Sequence, residues 1–357
     1  MGCSSILRHP GAGIQAFRAG PAARSPRDSV AVMTSSGHPT VHHATATLHD
    51  GSTIPVEVTG TGPAVLLPVA PVPATGPQAD ELRRWGVDPA LGRTLIDALS
   101  PTFRVVAADY EGHRMAHPAP DTLTPENVTA DLLAIADAAR AETFAYYGYS
   151  WLALSGLQLA LRTSRLSALA LGGFPPLGGP YAGMLAVTRA THDMTAAAPA
   201  APAEPTDGPT AQRETSDVVG QEELAPATDP APEETSAAGD PEDFDWDAFD
   251  MTLGEDQTRQ FVTLYEALDG FDEQAALTEV TCPRLAFAGT ADEIEYGETW
   301  GGVRVSIGGA LAAHADELRA AGWDVRLLDG LDHTRAMQPD AVLPVLGPWL
   351  AAVLTGE

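Results

Sequence analysis

Ser150, Asp292 and His333 are the side chains whose types and order along the chain could do chemistry. A hydroxyl becomes a nucleophile when an imidazole takes its proton, and a carboxylate can orient that imidazole and stabilise its charged form. Ser150 stands in Phe144-Ala145-Tyr146-Tyr147-Gly148-Tyr149-Ser150-Trp151-Leu152-Ala153, which reads as a short buried strand, a Gly-x-Ser turn and a helix over 151–161. Such a turn can present a hydroxyl at the N-terminus of the helix that follows. Asp292, in Gly289-Thr290-Ala291-Asp292, and His333, in Leu331-Asp332-His333, each follow a predicted strand. Each also has a plainer reading. Ser150 could cap its helix, Asp292 could be a turn residue with Glu293 or Glu295 in its place, and His333 could be a surface histidine, one of ten in the chain.

The elements that must position these groups alternate in type. Residues 41–48 and 54–59 alternate apolar and polar around His49-Asp50-Gly51-Ser52 and predict a β-hairpin. Residues 64–69, 103–108, 144–147 and 166–171 are short apolar runs, as expected of strands buried on both faces. Helical spacing appears at Leu91, Leu95, Ile96 and Leu99, and again from the Thr124 N-cap and Pro125 to about Arg140. After a long interruption the pattern resumes with a strand over 284–288, a mostly helical stretch over 307–321, a strand over 324–328 and a helix over 341–354. Pro344 and Pro348 predict that this last helix is kinked or begins later. Strands alternating with helices imply a mostly parallel twisted sheet with helices on both faces.

The interruption, residues 175–280, has two characters. Residues 181–194 and 256–268 carry helical apolar spacing and predict a small helical lid. The part between, 195–241, is rich in Ala, Pro, Glu, Thr and Asp and cannot offset its chain entropy by burial, so a disordered acidic loop is expected. About 15 acidic residues and one basic residue, Arg213, fall between positions 195 and 250. Residues 1–40, with Arg8, Arg18, Arg24 and Arg27 against Asp28, are expected to form a disordered tail. An early start codon, with Met33 the true start, is preferred over a transit peptide. Ile6 makes Gly2 a poor myristoylation site. The domain proper is then 41–357, roughly 270 residues without the loop, a size suited to one α/β domain.

A net charge of −28 argues against nucleic-acid or anionic-membrane partners. No apolar run is long enough to span a bilayer. Cys3 and Cys282 are the two cysteines; with Cys3 in the tail, a structural disulfide is not expected and a cytoplasmic, reducing location is the simpler assumption. His38, His42, His43 and His49 invite a metal reading, but the alternation His43-Ala44-Thr45-Ala46-Thr47-Leu48-His49 suits a strand, and no carboxylate spacing supports a metal site. No cofactor is expected.

In the order serine, acid, histidine, and in the strand Phe103-Arg104-Val105-Val106-Ala107-Ala108-Asp109 ending in Asp109-Tyr110-Glu111-Gly112, the chain resembles the α/β-hydrolase superfamily over about 41–190 and 250–357. The resemblance implies a catalytic triad of Ser150, Asp292 and His333 and a cap between the sixth and seventh strands. It also implies an oxyanion hole made by the backbone N–H groups of Trp151 and, by position after the third strand, Ala70. Asp109 would tie down the loop that follows it. Two departures stand out. The usual Gly-x-Ser-x-Gly ends here in Leu152, which implies a shifted helix or a local gap. The oxyanion loop reads Leu67-Pro68-Val69-Ala70-Pro71, without its usual glycine.

The expectation is a serine hydrolase cleaving a carboxylic ester or related acyl substrate through an acyl-enzyme. Alternatives are a catalytically inactive binding protein of the same fold, and an acyltransferase. The aromatic and apolar residues Tyr149, Tyr181, Met184, Phe261 and Tyr265 are candidate pocket residues and suggest a small-molecule substrate with an apolar acyl group.

Overall fold

The computed structural model describes residues 40–197 and 253–356. The predicted N-terminal tail and nearly all of the predicted acidic loop lie outside the described residues, as do Cys3 and Met33. Residues 195–197, placed in the loop by composition, instead close a helix of the lid.

Eight strands form one sheet in the order β1-β2-β4-β3-β5-β6-β7-β10. They are β1 (Val41–Thr47), β2 (Thr53–Thr59), β3 (Ala64–Leu67), β4 (Arg104–Ala107), β5 (Phe144–Tyr149), β6 (Leu166–Gly172), β7 (Arg284–Gly289) and β10 (Trp323–Leu328). β1 and β2 pair antiparallel, as do β2 and β4; every later pairing is parallel. Two further strands, β8 (Glu293–Glu295) and β9 (Arg304–Ser306), form a separate hairpin directly after Asp292. This strand order, with helices on both faces and a helical insertion after β6, is the α/β-hydrolase architecture.

The central strands are uniformly apolar because both faces are covered. On one face, α2 (Leu91–Leu99) and α12 (Pro339–Leu354) bury Leu95, Ile96, Val342, Leu346 and Leu350 against Val65, Leu67, Val105 and Phe287. On the other, α4 (Pro125–Ala138) and α5 (Trp151–Arg162) bury Leu132, Ile135, Leu154 and Leu157 against Leu66, Val106, Tyr146 and Leu171. Every residue from 151 to 159 is buried, so α5 is enclosed all round. The lid helices α6 (Tyr181–Ala197), α7 (Glu255–Glu266) and α8 (Glu273–Glu279) add Leu185, Leu264, Tyr265 and Leu277 to that second core. Among the described residues no helix is long and apolar enough to cross a membrane.

Local signals explain several helix starts. The Thr124 side chain accepts from Asn127 N–H at 3.3 Å with Pro125 at the first helical position, a cap that stabilises by about 1 kcal/mol. The Asp109 side chain accepts from Gly112 N–H at 3.0 Å and opens α3 (Tyr110–Ala116), so the loop expected there is helical. The last helix departs from expectation in the other direction. It begins at Pro339 and runs through Pro344 and Pro348 rather than starting after them. Both prolines lie one turn apart on the exposed side, so the carbonyls they leave without a helical donor face water.

A buried carboxylate ties the first hairpin to the α4 layer. Asp131, fully buried, accepts from His49 N–H at 2.6 Å, from the His49 ring at 2.8 Å and from the Tyr110 hydroxyl at 2.7 Å. The other ring nitrogen of His49 meets Thr122 Oγ1 at 3.0 Å, so both nitrogens of this histidine have protein partners.

Candidate active site

The parallel strands β3, β5, β7 and β10 deliver Ala70, Ser150, Asp292 and His333 to one end of the sheet, each within a few residues of a strand's C-terminus. That is where open α/β sheets place their sites.

Ser150 joins β5 to α5 with φ 56° and ψ −129°. Among the described residues only Arg140 shares a positive φ without being glycine. This conformation costs on the order of 1–3 kcal/mol and persists only where the surroundings over-determine it. Here they do. Ser150 N–H donates to Gly172 C=O at 2.8 Å, and its own carbonyl accepts from Ala153 and Leu154 N–H at 2.9 and 3.2 Å.

The Leu152 departure is resolved one residue type at a time. A Cβ at Gly148 would collide with the Leu152 carbonyl, and one at Gly156 with the Tyr146 ring. The close approach of α5 to the sheet therefore rests on Gly148 and Gly156. The Tyr146 hydroxyl donates to Leu152 C=O at 2.8 Å and locks the crossing. Leu152 itself is buried beside the cleft, so the helix needs no small residue there.

Asp292 is completely buried and meets the His333 ring at Nδ1, with distances of 2.9 and 3.1 Å to its two carboxylate oxygens. An ionised carboxylate can only accept, so Nδ1 carries the hydrogen, and in the neutral imidazole Nε2 is then the nitrogen with the free lone pair. The acid is held from behind: its backbone carbonyl accepts from Ile307 and Gly308 N–H at 3.0 and 2.9 Å. Glu293, an alternative acid in the sequence, is occupied elsewhere, by Ser306 Oγ at 2.5 Å and Gly309 N–H at 3.1 Å. The β7 and β10 ends are level, with Leu328 opposite Gly289, and a Cβ at Gly289 would strike the Leu331 carbonyl. That close contact brings the histidine loop down onto the acid loop.

Ser150 and His333 border the same cleft, about 700 Å³ in volume, together with Ala70, Trp151, Tyr149 and Glu111. Among the described residues Ser150 Oγ makes no hydrogen bond, to His333 or otherwise. Catalytic hydrogen bonds are often open in free enzymes and close on the bound substrate. Ala70 is exposed on the cleft rim, and its N–H donates to no protein group among the described residues. Its segment is fixed from behind: a Cβ at Gly92 would collide with the Ala70 carbonyl, and Arg93 Nε donates to Pro71 C=O at 3.0 Å. Trp151 opens α5, so its N–H has no carbonyl one turn back to bond.

The cleft does not lie where lid composition suggested. Tyr149 lines it; Tyr181, Met184, Phe261 and Tyr265 do not. Phe261 meets the Trp151 ring edge-on at 5.4 Å, and Tyr181 sits between Phe174 and Phe271 at 5.3 and 5.6 Å. Tyr265 is buried in the core under the lid. Helical periodicity identified a buried face of each lid helix, but the aromatic residues of that face pack against Trp151, Phe174 and Phe271 rather than lining open space. The far wall is instead α1 (Gly76–Arg84) with the chain around it, through Val72, Gln78 and Leu82.

Glu111 was not singled out by sequence reasoning, although it sits in the Asp-x-x-Gly segment. Its Oε1 accepts from the Trp151 indole N–H at 3.0 Å. The side chain is open to the cleft, yet the cleft walls crowd its carboxylate. That desolvation raises its pKa, opposed by the indole hydrogen bond and reinforced by the charge of Asp109. Asp88 and Asp109 also border the cleft, and among the described residues neither lysine nor arginine does.

No protein-family model and no curated protein matches the chain. Solved structures with a related chain course include a hydrolase from Pseudomonas aeruginosa PA01, with 19% identity and TM-score 0.48 over 86% of this chain and 98% of that one. A bromoperoxidase from Bacillus anthracis shows 15% identity and TM-score 0.48 over 87% and 99%. An enol-lactonase from Burkholderia xenovorans LB400 shows 18% identity and TM-score 0.48 over 86% and 99%.

Proposed function

We propose that this protein is a serine hydrolase that cleaves carboxylic esters through an acyl-enzyme. The observation that carries the reading is the hydrogen-bonded pair of buried Asp292 and half-buried His333, with His333 bordering the same cleft as a serine held at positive φ on a strand-to-helix turn. In this reading His333 Nε2 takes the Ser150 proton as Oγ attacks the acyl carbon, and Asp292 stabilises the imidazolium without accepting its proton. The Trp151 and Ala70 amides receive the developing oxyanion. The imidazolium then protonates the departing alkoxide, and water repeats the sequence to release the acid. A fluorophosphonate probe tests this directly. The expected result is one labelled peptide, carrying the probe on Ser150; an unlabelled protein would sink the proposal. The open Ser150–His333 contact favours one competing reading, a binding protein of the same fold, and the same experiment separates the two.

The cleft electrostatics bear on the substrate. With Asp88 and Asp109 on its walls, Glu111 adding to them when ionised, and neither lysine nor arginine among the described lining residues, an anionic acyl group meets repulsion. A neutral butyryl ester should exceed a succinyl half-ester of the same alcohol by about tenfold or more in kcat/KM at low salt, with the gap narrowing as ionic strength rises. Equal rates at low salt would remove this selectivity.

A further inference from the structure

We infer that Tyr149, the residue directly before Ser150, is a positioning residue that sets the place and tilt of the His333 imidazole. The inference rests on the hydrolase reading of the site. Tyr149 ends β5, and its hydroxyl donates to the His333 backbone carbonyl at 2.8 Å. Its ring lies 5.1 Å from the imidazole at an interplanar angle of 53°. One side chain thus grips both the backbone and one face of the histidine from the strand that carries the serine.

The strut is itself braced. A Cβ at Gly172 would come within 2.6 Å of the Tyr149 ring, and one at Gly173 within 2.6 Å of it as well. Phe287 stands on a further side, 6.3 Å between centroids. The Gly172-Gly173 end of β6, which offers no carboxylate, is the slot in which this ring lies. Burial raises the phenol pKa well above its usual value, and the charge of Asp292 adds to the effect. The hydroxyl therefore stays a donor at any pH at which an imidazole base works.

Asp292 alone does not fix the imidazole. Its bond at Nδ1 anchors one ring atom, and the ring could still swing about that anchor if its backbone moved. Tyr149 removes that freedom by holding the carbonyl and blocking one face. The separation between base and nucleophile is then set by adjacent residues of one strand end, not by two independent loops.

The test compares Tyr149→Phe with Tyr149→Leu in the full chain. Tyr149→Phe keeps the ring and loses only the hydroxyl, and Tyr149→Leu loses both. Tyr149→Phe should lower kcat on a neutral ester about tenfold with KM within twofold, and Tyr149→Leu about a hundredfold, the scale of a misplacement near 1 Å. The His333 Nδ1–H proton resonance should broaden or shift in Tyr149→Phe, and the acidic limb of the kcat/KM profile should move with it. An unchanged resonance and pH profile in Tyr149→Phe would overturn the inference, whatever happened to the melting temperature. Failure of the hydrolase reading looks different. In that case fluorophosphonate leaves the wild-type chain unlabelled, and the Nδ1–H resonance in Tyr149→Phe still decides whether the strut exists.

Discussion

Ser150→Ala is expected to lower ester turnover by roughly a millionfold, to the level left by binding and the oxyanion donors. His333→Ala should cost about as much, and the double variant no more than either alone, because the two groups act as a unit. Asp292→Asn should cost on the order of ten-thousandfold, since the amide can donate to Nδ1 and favours the wrong tautomer. The structure makes the serine test clean. Ser150 Oγ makes no hydrogen bond among the described residues, so its loss removes no stabilising contact. Alanine at φ 56° is as strained as serine, so the melting temperature should barely change. Ser150→Gly would go further, relieving the strain and raising stability by about 1 kcal/mol while being equally inactive. Unchanged turnover of a neutral ester by Ser150→Ala would refute the assignment of the nucleophile.

Asp131→Ala is the substitution with the largest expected effect on stability. It would leave the His49 N–H, the His49 ring and the Tyr110 hydroxyl without their acceptor in an interior that admits little water. Removing one partner of such a buried charged network costs about 3–5 kcal/mol. That is a large share of a total near 5–15 kcal/mol and corresponds to a melting temperature lower by roughly 5–15 °C. Asp131→Asn keeps the shape and one carbonyl oxygen and should lose less than half as much. The damage should also reach the cleft, because Tyr110 lies 6.0 Å from the Trp151 ring. Thermal melts of both variants check the order; an Asp131→Ala protein within 2 °C of wild type, about the shift expected from 1 kcal/mol or less, would show that water or rearrangement replaces the network.

The sheet was legible because its signal is local. Short apolar runs such as 64–69 read as strands covered on both faces, and alternation of such strands with helices implies parallel pairing. Ser150, Asp292 and His333 stood out for the same reason: each comes within a few residues of a strand's end, and parallel strands end together. What the sequence hid depends on side-chain direction. Tyr181, Met184, Phe261 and Tyr265 have the spacing of a buried face, but spacing does not say whether that face meets a cavity or a core. Leu152 looked like a defect because the small residues that allow the helix crossing stand elsewhere, Gly148 in the strand before the turn and Gly156 one turn further along the helix. Glu111 lay inside a motif whose other members drew the eye, and Tyr149 was expected only as a pocket residue, which it is, without its contact to the histidine. Their roles arise only when the Asp-x-x-Gly segment meets Trp151 and the Gly-x-Ser strand meets the histidine loop.

The α1 wall has a practical consequence. Ala79 is the only residue of Gly76–Arg84 that is buried, and the helix hangs beside the sheet rather than within either core. Residues 72–87 therefore form a replaceable part. Libraries confined to them could reshape that wall of the cleft while leaving both hydrophobic cores and Ser150, Asp292 and His333 unchanged.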